Sequence, residues 1–336
     1  MELIDEKLFI RKMLYNYDVT TLDVVNNDIS NNIVNNYTQK IYVINLEKNI
    51  VRKNYILTMM KKYGINFTLV IVKKIKEEQY NYFCKYNTNI SIGEFGCGLS
   101  HMWCLKDIVQ NKYENAIIFE DDIIFHKKFT SRFYNIIKRQ SYDFLLLGAC
   151  DFHFSEMNYK NVSNTDNLYR PDPKFDKVYG AHAIYYSLKG ARYVLENKLK
   201  QFAFFDYNFN KVFSYFKNTS FICYPNLVVT EITTSDINHN YELFSKKERL
   251  FYTKCFVNFN FNHYHFIYLN LLDGSCIDKF STYKDYMCSL FKEKYPDKVN
   301  NIEKLIRRID FDFLTLEEIT NICNASVDLD LQLELD

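Results

Sequence analysis

The sequence predicts an α/β fold with a mostly parallel sheet and flanking helices. Short apolar runs rich in β-branched residues alternate with segments whose apolar residues recur at helical spacing. This alternation is typical of a sheet whose strands are joined by helices. With 336 residues, of which 48% are hydrophobic, the chain is long enough to bury a large core.

The first strand–helix–strand unit is predicted between residues 41 and 72. Residues 41–46 and 67–72 are apolar and β-branched, which indicates buried strands. Between them, residues 50–63 place apolar side chains on one side of a helix, and Gly64 is a plausible helix end. The order of these segments predicts a βαβ unit.

A second helix is predicted to begin directly after Ser91. Ser91 and Glu94 have the spacing of a capping box, in which the serine caps a backbone amide and the glutamate reaches back. Further strands are expected at residues 116–119, 144–147 and 181–186, which are short and apolar.

Three regions differ in character. Residues 1–39 are polar and Asn-rich, and are interpreted as an N-terminal extension or a loosely attached helical piece. Residues 40–240 carry the α/β pattern and form the predicted main domain. Residues 241–336 begin with an aromatic-rich stretch and continue as a C-terminal, mostly helical appendage that could hold an acceptor or a partner subunit.

The charge and cysteine content exclude some classes of partner. The chain carries 42 basic and 41 acidic residues, so it lacks the excess of positive charge that is typical of nucleic-acid-binding proteins. Its 9 cysteines include no Cys-x-x-Cys pair, which favours free thiols in a reducing compartment. No apolar run reaches the roughly 18 residues of a membrane span, and no signal peptide is recognisable. A cytoplasmic protein is expected.

The acidic triplet Glu120-Asp121-Asp122 is the strongest sign of chemistry. It follows a predicted strand directly, at the carboxyl end where open α/β sheets bind ligands. Alternation along a strand predicts that Glu120 and Asp122 point the same way. Adjacent carboxylates repel each other unless a cation lies among them, and a hard divalent ion prefers such oxygen ligands. A metal held here would bridge the phosphates of a nucleotide diphosphate.

The alternative interpretation of the triplet is a solvated turn or a helix N-cap. The abrupt change from an apolar run to three acids, and back to an apolar run at residues 123–125, favours a site. No P-loop and no Gly-rich dinucleotide fingerprint occurs, which weakens kinase and dehydrogenase interpretations. The Asp-x-Asp pattern of dehalogenase-like phosphatases is also not found in order.

Four segments, in order, carry the motifs of one enzyme family. They are Ile44-Asn45-Leu46 followed by Arg52, then Glu94-Phe95-Gly96-Cys97 continuing to Ser100-His101, then Ile117 to Asp122, and finally Tyr185-Tyr186-Ser187 continuing to Gly190-Ala191. Through them the chain resembles glycosyltransferase family 25, which contains lipooligosaccharide and procollagen β-galactosyltransferases. The resemblance covers roughly residues 40–240. The Asn- and Lys-rich composition suggests a giant-virus member, which would act in the host cytoplasm.

The resemblance implies a GT-A fold with a metal at its acidic motif. Asp122 would ligate Mn²⁺ or Mg²⁺, and Glu120 would do so directly or through water. His239 would be a third ligand, because related metal-dependent transferases often add a late histidine. A solvent-exposed histidine is the alternative for His239.

The same resemblance implies a UDP-sugar site. Asn45, Arg52, Glu120, Asp121 and His101 are expected to surround the nucleotide, with Asp121 touching the ribose or a second water. Arg52 would pair with a phosphate, or else be a salt-bridged arginine on the helix surface. His101 would orient a loop or a phosphate, or else be a hydrogen-bonded packing histidine.

An inverting transferase, as the family is regarded, needs one general base on the acceptor side. Asp206, between aromatic residues, is the predicted base, since partial burial would raise its pKa. The family often has a second acid after this position, where this chain has Tyr207. The alternative is that Asp206 caps a helix reaching Phe213, with Asp236 and Asp151 as reserve candidates for the base.

The sequence therefore predicts transfer of a hexose from a UDP-sugar to a hydroxyl group. The resemblance implies galactose or glucose as the sugar. It implies a glycan, or hydroxylysine in a collagen-like protein, as the acceptor. The alternative is a glycan- or nucleotide-binding protein that keeps the fold without turnover.

Overall fold

The computed structural model of the chain describes residues 6–26, 32–84, 90–149, 167–171, 178–224 and 226–230. Region 241–336 lies outside the described residues, and so do His239, Asp236 and Asp151. The predictions made for them stay predictions. No helix within the described ranges has both the length and the apolar character needed to cross a membrane.

The described residues form an eight-stranded sheet, a two-stranded sheet and eight helices. The large sheet contains β1 (Val19–Val24), β2 (Lys40–Leu46), β3 (Phe67–Val72), β4 (Asn115–Glu120), β6 (Phe144–Leu146), β7 (Asn167–Tyr169), β8 (Ala183–Ser187) and β9 (Ser220–Tyr224). The small sheet pairs β5 (Ile123–Phe125) with β10 (Val228–Thr230). The helices are α1 (Glu6–Tyr15), α2 (Ile33–Tyr37), α3 (Ile50–Lys62), α4 (Glu77–Cys84), α5 (Ile92–Asn111), α6 (Phe129–Ile137), α7 (Leu188–Lys200) and α8 (Phe209–Tyr215).

The strand order of the large sheet is β1-β3-β2-β4-β8-β6-β9-β7. Strands β3, β2 and β4 are parallel to one another, and so are β6 and β9. Strand β8 lies antiparallel between β4 and β6, and the edge strands β1 and β7 are antiparallel to their neighbours. Five of the eight strands therefore run in one direction, which confirms the predicted mostly parallel sheet.

Helices cover both faces of the sheet. Because side chains alternate along a strand, neighbouring residues of β2 and β4 contribute to two different cores. Tyr42 and Ile118 belong to the core that contains buried residues of α1, α5 and α7. Val43 and Phe119 belong to the core that contains those of α3 and α6. Burial on both faces explains why these strands read as continuous apolar runs rather than alternating ones.

The N-terminal segment is part of this fold. Strand β1 pairs with β3 at the sheet edge, and Ile10 and Leu14 of α1 are buried in the core. The Tyr17 hydroxyl lies 2.9 Å from the Ser100 hydroxyl of α5. The sheet therefore begins at Val19, inside the segment that was predicted to be an extension, rather than at Lys40.

Two local signals in the sequence are confirmed. The Glu94 amide donates to the Ser91 hydroxyl at 3.2 Å, and the Ser91 amide donates to the Glu94 carboxylate at 2.7 Å, which completes the capping box of α5. Gly64 follows α3 with a φ of 64°, a left-handed conformation that ends the helix at little cost to glycine.

The segment from Tyr185 to Ala191 has a structural role. Ser187 caps α7 by accepting from the Gly190 amide at 3.0 Å, and its hydroxyl donates to Asp143 at 2.7 Å. A β-carbon at Gly190 would lie 1.8 Å from the Asp143 carbonyl oxygen. The glycine is therefore needed for the close approach of α7 to the start of β6.

Gly190→Ala is expected to lower the free energy of unfolding by about 2–3 kcal/mol, because the backbone of α7 or of Asp143 must move to make room for the methyl group. Gly96→Ala is the matched control, since it is also a helical glycine. There the added β-carbon would meet a side-chain atom, Cγ1 of Ile75, at 3.3 Å. In Gly96→Ala the cost of this close contact is offset by the higher helix propensity of alanine, a gain of about 1 kcal/mol. Urea unfolding of both variants measures the difference, and equal midpoints would contradict the packing argument.

Candidate active site

The acidic triplet lies where β4 ends, and the structure divides it into two parts. Glu120 is the last residue of β4, while Asp121 and Asp122 form the turn that leads into β5. The strand alternation that predicted a common direction for Glu120 and Asp122 therefore does not extend to Asp122. Glu120 instead contacts α5, whereas the two aspartates contact the start of α3.

Asp121 and Asp122 are buried and share one cation. Nη1 of Arg52 lies 3.1 Å from Asp121 Oδ1 and 3.3 Å from Asp122 Oδ2. Asn45 donates its side-chain amide to Asp121 Oδ2 at 2.6 Å. Thr230 of β10 donates its hydroxyl to Asp122 Oδ1 at 2.9 Å. Residues from β2, α3 and β10 therefore converge on this turn.

One guanidinium does not fully compensate the two aspartates. Burial raises the pKa of Asp121, although Arg52 and Asn45 oppose the rise. Burial also raises the pKa of Asp122 to about 7; Arg52 opposes this rise, while Glu120 and Asp121 add to it. Such a site favours additional positive charge near Asp122.

The residues present fit a hard divalent cation. Besides the carboxylate oxygens, Oδ1 of Asn45 is buried and has no hydrogen-bond partner within the described residues. Carboxylate and amide oxygens are the ligands that Mn²⁺ and Mg²⁺ prefer.

Glu120 is held by α5. Its Oε1 lies 2.9 Å from His101 Nε2 and accepts from the Cys97 thiol at 3.6 Å. Burial raises the pKa of the Glu120 carboxyl, but the interactions with His101, His182 and Cys97 together outweigh it, so that the net shift is downward. His101 is fully buried and stacks on Phe205, with the ring centroids 4.3 Å apart.

Asp206 lies on the same side of the site as Glu120. Its Oδ2 accepts the Gly180 amide at 2.7 Å, and its charge acts on both Cys97 and Glu120. Burial raises the pKa of Asp206, as the sequence predicted, against the opposing effects of that hydrogen bond and of Lys198. Asn208, not Asp206, is the N-cap residue of α8, so the capping alternative for Asp206 is wrong.

The structure brings together every predicted site residue that it describes. The Arg52 side chain is salt-bridged, but to the two buried aspartates of the triplet rather than on the helix surface. Its pairing with a phosphate stays a prediction. Thr230 was missed, because it lies 108 positions from Asp122 and no local pattern indicates it. Lys198 was also missed. It lies close enough to Asp206 for the two charges to interact, and burial lowers its pKa to about 8.

The family comparison covers most of the segments that form this site. The family model described as "Glycosyltransferase family 25 (LPS biosynthesis protein)" matches residues 38–207, just over half of the chain. The chain belongs to glycosyltransferase family 25. The matched region of this family 25 chain runs from the residues before β2 to Tyr207, and so includes Asn45, the triplet and Asp206. Its fold is the GT-A-like α/β arrangement that the resemblance implied.

A relative in a giant virus extends the comparison. The family 25 chain is 24% identical over 302 residues to a protein of Acanthamoeba polyphaga mimivirus described as "Procollagen lysyl hydroxylase and glycosyltransferase". The match covers 76% of this chain and 31% of the viral protein. The chain therefore spans about a third of the length of this curated relative.

Proposed function

We propose that this chain transfers a hexose, galactose or glucose, from a UDP-sugar to an acceptor hydroxyl with inversion at the anomeric carbon. The observation that carries the proposal is the pair of buried aspartates at the end of β4, which share one guanidinium and leave the pKa of Asp122 at about 7. Family 25 membership supports glycosyl transfer at this site.

Mn²⁺ or Mg²⁺ would be held by Asp122, with Glu120 as a direct or water-mediated ligand and His239 as a proposed third ligand. When bound, the ion would supply positive charge to the diphosphate leaving group. Arg52 would add a second positive charge there. Asn45 and Asp121 form the neighbouring wall, where Asp121 would contact the ribose or an ordered water.

Asp206 is the proposed general base. In the reaction the acceptor oxygen forms a bond to the anomeric carbon, the bond from that carbon to the diphosphate oxygen breaks, and the acceptor proton passes to Asp206. A carboxylate whose pKa is raised by burial is a better proton acceptor than an exposed one. The Gly180 amide and the ring contact between His101 and Phe205 hold this segment in place.

The mimivirus relative is described as a procollagen lysyl hydroxylase and glycosyltransferase, which supports an acceptor in a collagen-like protein, with hydroxylysine supplying the acceptor hydroxyl. A glycan hydroxyl is the other acceptor class that the family implies. Both acceptors present the same chemical group, so they are distinguished by a parallel assay of UDP release with a hydroxylysine-containing collagen peptide and with oligosaccharides.

The direct test is calorimetric titration of UDP, with and without Mn²⁺, into the wild type and Asp122→Ala. Mn²⁺ is expected to tighten UDP binding to the wild type at least about tenfold, a difference of about 1.4 kcal/mol. The gain should vanish in Asp122→Ala, because the proposed ligand is removed.

Asp18→Ala is the matched control, because the Asp18 carboxylate is exposed and pairs with Lys73 at the surface. It should behave as the wild type. If the affinity for UDP is the same with and without Mn²⁺ in all three proteins, metal dependence is contradicted. Metal-dependent UDP binding without UDP release from any UDP-sugar would instead identify a binding protein on this fold.

A further inference from the structure

Three different metal-binding atoms meet beside the aspartates. Cys97 and His101 lie one helical turn apart on α5, so their side chains project from the same face of the helix. Glu120 ends β4 opposite them, and the possible ligand atoms of all three residues lie within 4.8 Å of one another. They form a cluster of one sulfur, one imidazole nitrogen and one carboxylate oxygen, called the Cys97 cluster below.

This donor set suits a different metal from the one that the aspartates suit. Carboxylate and amide oxygens favour Mg²⁺ and Mn²⁺, whereas thiolate and imidazole ligands favour Zn²⁺. The charges of the ligands also suit Zn²⁺, since one thiolate and one carboxylate together neutralise a dication. The two groups of ligands differ in softness and share a single residue, Glu120.

The Cys97 cluster is held rigidly before any metal binds. The capping box fixes the first turn of α5. His101 is fully buried, and its stacking on Phe205 fixes the plane of the imidazole. Glu120 is anchored through its backbone amide, which donates to the His182 carbonyl at 2.9 Å. Little conformational entropy is therefore lost when these three side chains bind an ion.

From these contacts we infer that Cys97, His101 and Glu120 form a zinc site. On binding, the bond between Zn²⁺ and the Cys97 sulfur forms as the thiol proton leaves to solvent. His101 binds through Nε2, so its hydrogen bond to Glu120 breaks and the ring proton is carried on Nδ1. That nitrogen is buried and has no hydrogen-bond partner among the described residues. Three ligands and an unpaired Nδ1 make the site weaker than a closed four-ligand zinc site, and so reversible.

Zinc binding at the Cys97 cluster has a consequence for transfer, which rests on the proposed function. Glu120 cannot serve the Mn²⁺ or Mg²⁺ site while its carboxylate binds Zn²⁺ at the Cys97 cluster. Zn²⁺ is therefore an inhibitor that acts by withdrawing Glu120, and excess Mn²⁺ should relieve the inhibition because the two ions compete for this carboxylate.

The test uses Zn²⁺ and its spectroscopic substitute Co²⁺ with the whole 336-residue chain. Wild type titrated with Co²⁺ should develop a thiolate-to-cobalt charge-transfer absorption, which Zn²⁺ then abolishes. In Cys97→Ser the charge-transfer absorption that comes from the Cys97 thiolate should be lost. Zn²⁺ should bind this variant at least about tenfold more weakly than it binds the wild type. Cys104→Ala is the matched control, because Cys104 is a buried thiol on the same helix and not part of the Cys97 cluster.

Two further measurements distinguish failure of the zinc inference from failure of the proposed function. Asp122→Ala removes the proposed Mn²⁺ ligand and should keep the Co²⁺ absorption, so loss of Mn²⁺-dependent UDP binding leaves the zinc inference standing. In the wild type, Zn²⁺ should slow alkylation of Cys97 by iodoacetamide, read by peptide mass spectrometry, which requires no variant to fold. Equal Co²⁺ spectra for the wild type and Cys97→Ser, or unchanged alkylation of Cys97, would overturn the zinc site.

Discussion

Asp206→Asn is expected to lower kcat for sugar transfer by about a hundredfold or more, the usual range for loss of a general base. UDP binding in the presence of Mn²⁺ should change little, because the proposed role of Asp206 is at the acceptor hydroxyl and not at the nucleotide. The fold should also be retained, since an asparagine amide oxygen can still accept the Gly180 hydrogen bond. Steady-state rates and calorimetry on the same preparation separate these effects.

Asp107→Asn is the matched control for this substitution. The Asp107 carboxylate accepts the Tyr42 hydroxyl at 2.6 Å and is not part of the site, so its replacement should leave kcat near the wild-type value. If Asp206→Asn kept the full rate, the base would lie elsewhere. The reserve candidates Asp236 and Asp151 would then be substituted in the same assay.

Arg52→Met is expected to lower the free energy of unfolding by about 3–5 kcal/mol, because it removes the cation between two buried carboxylates. The carboxyls of Asp121 and Asp122 would then be left to repel each other or to take up a proton. Thermal unfolding with and without Mn²⁺ measures the effect. Added Mn²⁺ should raise the Tm of Arg52→Met more than that of the wild type, since it replaces the missing charge.

Arg52→Lys gives the corresponding control. Both contacts of Arg52 with the aspartates come from a single nitrogen, Nη1, so one ammonium group could replace them. Its loss of stability should therefore be clearly smaller than that of Arg52→Met. Equal losses for lysine and methionine would show that the shape of the guanidinium, rather than its charge, stabilises the aspartates.

The sequence predicted the central strands well, for a physical reason. Strands β2, β3 and β4 are buried on both faces, so their residues are uniformly apolar and easily recognised. Strand β1 was missed because it lies at the edge, and the four middle residues of its Val19–Val24 segment are exposed. A mixed polar segment of this kind has no apolar face from which a strand could be predicted.

The candidate site was predicted as a set of residues and not as a geometry. Motifs placed Asn45, Arg52, the triplet and Asp206 together, and the structure agrees. They did not predict that the triplet divides, because this depends on where β4 ends. The role of Thr230 depends on pairing between the three-residue strands β5 and β10, which carry too little pattern to be recognised from sequence.

The position of β8 in the sheet has a consequence for how the protein is made. During translation, β1, β2, β3 and β4 leave the ribosome in succession and can pair with one another from contiguous chain. The other edge of β4 has no partner until residues 183–187 have been synthesised. Strand β4, which ends at Glu120, therefore keeps one edge unpaired while more than sixty further residues are synthesised. A nascent chain at this stage presents an unpaired strand edge, which favours mispairing, before the candidate site can be complete.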